Sequence, residues 1–240
     1  MFDHVTIRAS DREASERFYD TVLPTVGVER TKSTEAYAVW RGFSLARATD
    51  ESPVTRRLHV AFAAPSRAQV DEFWRVGTEA GYRDDGAPGP RPQYSADYYG
   101  AFLLDPDGNS AEAVHHSTAR VGVDHLWIRV GDVARSRRFY ETIAAYAGFR
   151  LKSARNDFAH FAGNGGSFSV LLGPPTQNVH VAFPASDDAT IDAFHTAATQ
   201  VGYRDHGAPG LRPVYHAGYY GAFVLDPDGN NIEVVNHNLG

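Results

Sequence analysis

Residues 98–114 read YYGAFLLDPDGNSAEAV, and residues 219–235 read YYGAFVLDPDGNNIEVV. The same spacing of 121 positions carries GYRDDGAPGPRP at 81–92 onto GYRDHGAPGLRP at 202–213, DHVTIRAS at 3–10 onto DHLWIRVG, and LHVAFAAP at 58–65 onto VHVAFPAS. The offset is constant across all four blocks, so the chain is expected to be two ungapped copies of one unit, 1–121 and 122–240. A period of this length is a duplicated domain, not a solenoid of short repeats.

Local signals inside a copy recur in a fixed order. Residues 4–8 alternate polar and apolar, as a half-buried strand does. Ser10 with Glu13 has the form of a capping box, and Ala14, Phe18 and Val22 follow at helical spacing before Pro24 and Gly27 stop the helix. Strands are expected at 36–40 and 43–48. The pattern then restarts with a strand at 58–63, a helix capped by Ser66 that carries Val70, Phe73, Trp74 and Gly77, and a stop at Gly81. After a Pro/Gly loop come strands at 98–104 and 111–115, joined by Asp105-Pro106-Asp107-Gly108-Asn109. The repeating element is therefore βαβββ, four times over, in an α+β fold.

Composition narrows the function classes. Of the 240 residues 42% are hydrophobic, enough for packed cores, and none is cysteine. Disulfides, thiolate nucleophiles and zinc-thiolate sites are thereby excluded, and any metal must be held by His, Asp or Glu. A net charge of −6 without a basic run argues against a nucleic-acid partner. No stretch is long and apolar enough for a membrane span, and MFDHVTIRASDRE is not a signal peptide, so a cytoplasmic protein acting on small molecules is expected.

Strand alternation then sorts the polar residues by face. Val5 and Ile7 belong under the helix, which leaves His4, Thr6 and Arg8 on the opposite face. By the same rule His59 and Glu112 face away from the helices, and the second copy repeats the set as His125, His180 and Glu233. Any one histidine would pass as an ordinary hydrogen-bonded strand residue. Two imidazoles and a carboxylate at matching positions in both copies instead form a facial set that leaves coordination positions open. Such a set suits Fe(II), Mn(II), Ni(II) or Zn(II), up to two ions per chain, better than calcium.

The βαβββ duplication, the DHV and HVAF strands and the closing LDPDGNxxE turn together resemble the vicinal oxygen chelate superfamily, over essentially the whole chain. The resemblance implies two tandem glyoxalase-like units whose curved mixed sheets form open barrels around metal-binding cavities. By the family pattern His4, His59, Glu112 and His125, His180, Glu233 match the ligand positions. Each triad either forms within one copy or is exchanged, joining His4 to His180 and Glu233, and His125 to His59 and Glu112. The function implied is a divalent-metal-dependent enzyme that binds a small substrate through two oxygens, with glyoxalase-like isomerase or lyase chemistry or dioxygenase chemistry. The alternative is a sequestering protein of the bleomycin-resistance type. A monomer and a homodimer are both compatible with it.

Departures from the subfamilies bear on the reaction. Glyoxalase I resembles this chain but carries a fourth ligand, a Glu, on a strand that here reads FSLARA and FSVLLG. Extradiol dioxygenases resemble it in their three ligands, and His216 falls at their upstream histidine, yet their tyrosine is replaced by Phe102 and Phe223. Fosfomycin-type transferases are single units, and bleomycin-binding proteins lack the ligands. Tyr94, Tyr98, Tyr99, Tyr215, Tyr219 and Tyr220 flank the expected cavity, and one member of each adjacent pair should donate a hydrogen bond into it. Arg8 and Arg129 are candidate clamps for an anion. His116 and His237 lie too far along the strand for the triad and read as solvated strand ends, and the GAPG loops read as flaps.

Overall fold

The computed structural model describes residues 1–116 and 121–239; the expected copy boundary at 121/122 adjoins residues 117–120, which like Gly240 lie outside the described residues. The first quarter of the chain contains β1 (His4–Ala9), α1 (Arg12–Val22), a 3-10 turn (Leu23–Val26), β2 (Arg30–Ser33), β3 (Tyr37–Trp40) and β4 (Phe43–Arg47). The second contains β5 (Leu58–Ala63), α2 (Arg67–Glu79), β6 (Arg83–Pro90), β7 (Tyr99–Leu104) and β8 (Ser110–His115). The third contains β9 (Val123–Val130), α3 (Val133–Ile143), β10 (Phe149–Arg155), β11 (Phe158–Gly163) and β12 (Gly166–Leu172). The fourth contains β13 (His180–Pro184), α4 (Asp188–Gln200), β14 (Asp205–Leu211), β15 (Tyr220–Leu225) and β16 (Asn231–Asn236). Every quarter is βαβββ.

The strands form two curved, eight-stranded mixed sheets, in the orders β14-β15-β16-β13-β1-β4-β3-β2 and β10-β11-β12-β9-β5-β8-β7-β6. Neither order returns on itself, so the sheets are open. The chain divides into two compact units, Thr6–Trp127 and Met1–Val5 with Ile128–Gly240, which do not coincide with the two sheets. The chain changes unit inside β1 and again inside β9. Among the described residues no helix is long and apolar enough to cross a membrane.

In the unit Thr6–Trp127, Phe18 and Val22 of α1, which packs on β4, and Val70 and Phe73 of α2, which packs on β6, β7 and β8, are fully buried. Each such side chain contributes about 1.5–3 kcal/mol of transfer free energy. The repeated DPDGN turn sets the register of this core. Asp105 accepts from the Asp107 and Asn109 backbone N–H groups through one oxygen and from the Tyr19 hydroxyl and Asn109 Nδ2 through the other. Asn109 Oδ1 in turn accepts from Leu58 N at 3.1 Å. That bond fixes parallel β5 beside β8, with His59 opposite Ser110 and Ala61 opposite Glu112. Gly108 supplies the left-handed residue the turn needs, at φ 82°.

The other unit repeats this construction. Phe139, Phe168, Phe183 and Phe194 are buried, Tyr140 donates to Asp226, and Asn230 Oδ1 accepts from Val179 N at 3.2 Å. His180 lies opposite Asn231, and Ala182 opposite Glu233.

Four expectations are corrected. The cap of α1 is Asp11, which accepts from Ala14 N, while Ser10 N instead donates to Asp107 in the turn at 2.9 Å. The GAPG stretches are strands β6 and β14, not flaps, and their bulges at Gly86, Gly89, Gly207 and Gly210 place them on sheet edges, where proline costs no ladder bond. Strands β2 and β10 were not expected; Arg30–Ser33 is short, polar and mostly exposed, so nothing in its pattern marks a strand. The offset is also not constant throughout. The β11–β12 hairpin turns at Gly163 and Gly166, beyond the Phe161–Phe168 pair, whereas β3–β4 turns directly at Trp40 and Phe43. The second copy has a longer hairpin and a shorter following loop, which restores the offset before His180.

Candidate metal centres

Each unit gathers two histidines and one glutamate. In the unit Thr6–Trp127 these are His59 on β5, Glu112 on β8 and His125 on β9; in the other they are His180 on β13, Glu233 on β16 and His4 on β1. In each group one donor atom per residue lies within 4.8 Å of the others. The pairing is the exchanged one, each group taking one histidine from the opposite copy. Glu112 Oε2 lies 2.9 Å from His59 Nε2 and 3.4 Å from His125 Nε2. Glu233 Oε2 lies 2.9 Å from His180 Nε2 and 3.6 Å from His4 Nε2, and the two histidine nitrogens are 3.1 Å apart.

Both glutamates are buried and held by a tyrosine. Tyr98 donates to Glu112 Oε1 and Tyr219 to Glu233 Oε1, each at 2.7 Å. Tyr98 packs on Ala61 and Val114, and Tyr219 on Ala182 and Val235, which fixes the hydroxyls in place. Burial and the facing carboxylate push both phenols far up, so they stay protonated donors. A side chain at Gly100 would put its Cβ 2.5 Å from Glu112 Oε1, so this strand position must be glycine for the carboxylate to fit. Gly221 stands in the same relation to Glu233 at 2.7 Å.

Tyr99 and Tyr220 point the other way, donating to Asp71 on α2 and Asp192 on α4. Tyr94 and Tyr215 are half exposed and pack on Tyr98 and Tyr219, at 5.0 and 4.8 Å between ring centroids. Phe102 and Phe223 flank His59 and His180 at 5.9 and 6.1 Å. Among the described residues neither Arg8 nor Arg129 bonds to a triad; their backbone N–H groups are held by Thr55 and Thr176, and the Arg129 guanidinium lies beside Gly173.

A layer behind the triads was missed in the sequence. Asp124 accepts from His125 Nδ1 and from His116 Nε2, both at 2.9 Å. In the other unit Asp3 holds His4 Nδ1 at 2.7 Å and His237 Nε2 at 2.9 Å, and His237 Nδ1 meets His216 Nε2 at 2.8 Å. His116 and His237 are thus not solvated strand ends; they buttress the carboxylate that orients a triad histidine. The signal was the DH dipeptide in both copies, which alternation assigns to opposite faces. His59 Nδ1 is backed by Ser110, itself a donor to Asp85, and His180 Nδ1 by Asn231.

Charge in the first centre is polarised. Burial alone would lower His125, but the bond to Asp124 and the charge of Glu112 outweigh it and hold the imidazole up at about 9. Burial prevails at His59, which is lowered despite Glu112. Burial raises Glu112, yet the His125 imidazole beside it and its bond to His59 bring it to about 2. Asp124, in spite of burial, falls well below the usual carboxylate range between its two histidines.

The donor set fits a divalent ion by a direct criterion. His125 Nε2 is buried with no hydrogen-bond partner and faces the triad. In the other unit Asn231 Oδ1 is buried without a partner, while its Nδ2 meets His180 Nδ1 at 2.6 Å. A half-turn of that amide lets Oδ1 accept from Nδ1–H, the tautomer that frees His180 Nε2 for a metal.

Comparison with known proteins places the chain. The family model described as the glyoxalase/bleomycin resistance protein/dioxygenase superfamily matches residues 1–113 and again 122–234. Among curated proteins none matches. Glyoxalase I from Zea mays superposes with a TM-score of 0.70 at 20% identity, covering 98% of this chain and 92% of its own. A putative dioxygenase from Bacillus subtilis superposes with a TM-score of 0.68 at 14% identity, covering 100% of this chain and 86% of its own. These likenesses are of fold.

Proposed function

We propose, for a chain that belongs to the glyoxalase/bleomycin resistance protein/dioxygenase superfamily, a metal-dependent enzyme acting on a small molecule that offers two neighbouring oxygens. His59, Glu112 and His125 would hold one divalent ion, and His4, His180 and Glu233 a second. A divalent ion so held supplies Lewis acidity to a substrate oxygen on which negative charge develops. The observation that carries this reading is the buried, unpartnered His125 Nε2 aimed at a glutamate and a second imidazole.

The remaining chemistry falls to the chain's own groups. Asp3 and Asp124 fix the tautomer and orientation of His4 and His125 through Nδ1. Tyr98 and Tyr219 hold Glu112 and Glu233 by one oxygen and leave the other facing the imidazoles. The line His4, Asp3, His237, His216 offers a proton route away from one centre. Beside the imidazoles stand the phenyl rings of Phe102 and Phe223, which donate no hydrogen bond, and this favours isomerase or lyase chemistry over oxygen insertion. A cytoplasmic protein, monomeric or homodimeric, without nucleic-acid or membrane partners goes with this reading.

The test is metal content of untagged protein purified without chelator, measured by elemental mass spectrometry. Two equivalents of iron, manganese, nickel or zinc per chain are expected, falling to one in Glu112→Ala. No metal, with none taken up on reconstitution, overturns the reading and leaves the sequestering protein in its place.

A further inference from the structure

We propose that the two centres are not equivalent: the one on His4, His180 and Glu233 admits the bidentate ligand, while Trp127 shields the one on His59, Glu112 and His125. The proposal rests on the metal reading above and adds which centre is open. Trp127 follows His125 by two positions on β9, so both project from the same face. Its indole stacks on the His59 ring at 4.6 Å and 25° between planes, and lies 5.9 Å from the His125 ring. Tyr94 closes against the indole edge-on at 5.3 Å. The indole and the Tyr94 ring therefore wall this triad.

The repeat places Thr6 where Trp127 stands, and its hydroxyl is engaged with Ser44 at 2.6 Å. Threonine lacks the reach to cover an imidazole face. Exposure follows the substitution: the side chains of His4 and His180 are 24% and 19% exposed, against 11% and 8% for His59 and His125. The glutamates, at 1% and 0%, do not differ, so the asymmetry belongs to the approach and not to the ligand set. Trp127 is thus a specificity-determining residue. It leaves a metal accessible to water and small monodentate ligands and excludes a ligand that needs two adjacent positions.

The test loads the full chain with Co(II) and titrates benzohydroxamate, a bidentate oxygen ligand, following the cobalt absorption bands and tryptophan fluorescence. Two cobalt and one hydroxamate per chain are expected. The pair His4→Ala with Glu233→Ala should abolish hydroxamate binding while one cobalt stays; His59→Ala with Glu112→Ala should leave hydroxamate affinity within twofold. Trp127→Thr should raise the stoichiometry to two hydroxamates, and Thr6→Trp should weaken binding at the open centre at least tenfold. Two cobalt and two hydroxamates in the unaltered protein, or hydroxamate binding that survives loss of Glu233, would overturn the asymmetry alone. Failure to bind cobalt at either centre would overturn the metal reading, and the asymmetry with it.

Discussion

Metal binding at the His59 centre must compete with a proton on His125, and the structure sets the size of that competition. The imidazole donates through Nδ1 to Asp124 and keeps a second proton on Nε2 up to a pKa of about 9. His59 is lowered and is already neutral near pH 7, and Glu112 is ionised. One proton, not two, must therefore leave when the ion enters. Affinity rises with pH until about 9, where the proton is lost unaided. Between pH 6.5 and 8.5 this amounts to roughly a 75-fold gain, or about 2.6 kcal/mol. The assay is calorimetric titration with Ni(II) in buffers of differing ionisation enthalpy, on the His4→Ala, Glu233→Ala protein that keeps only this centre. Asp124→Asn removes the acceptor that holds His125 up, so the same pH interval should give a much flatter dependence. A dissociation constant that changes less than threefold over this interval in the protein that retains Asp124, or binding without proton release, would refute the reasoning.

The same groups govern the metal-free fold. His125 is raised above 6.5, so its contribution is complete below pH 6.5 and is lost as pH climbs through about 9; the cost is about 3 kcal/mol. Glu112 is lowered from 4.5 to about 2 and loses its contribution as pH falls through that interval, and His59, lowered by burial, loses its own as pH falls below 6.5, so thermal melting of apo protein should peak near pH 6.5. Gly100→Ala would drive a Cβ to 2.5 Å from Glu112 Oε1, and elemental analysis should show that centre losing metal affinity about tenfold or more with no change in charge. Tyr19→Phe strips the buried Asp105 of one donor and should cost about 1–3 kcal/mol in urea unfolding; Tyr140→Phe should do the same at Asp226.

Much of this was legible in the chain because it is written twice. The six candidate ligands follow from alternation on strands whose apolar partners, such as Val5, Ile7, Val60 and Phe62, are unambiguous. Other features had no such signal. Arg30–Ser33 makes a strand only because the adjacent β3 offers its backbone, and β6 is held by β7 through a glycine-rich stretch that reads as loop. Asp3 and Asp124 were hidden by the rule that revealed the histidines. Neighbouring strand residues face opposite ways, yet a carboxylate at the start of a strand can curl back to the Nδ1 of the next residue. The choice of Tyr98 over Tyr99 rests on one residue of register, since Tyr98 precedes β7 and packs on Ala61 of β5 and Val114 of β8.

The passage of β1 and β9 from one unit to the other also gives the centres different histories on the ribosome. His59 and Glu112 are 53 residues apart, and with His125 they have all been made by the time Trp127 closes its compact unit. His4 meets His180 only 176 residues further along the chain, and its buttress Asp3 awaits His237 across 234. Such a distant partner carries a larger loop-closure entropy and leaves the first strand waiting while the first unit folds. The shielded centre can thus mature once Trp127 has been made, and the open one only after His237 has followed.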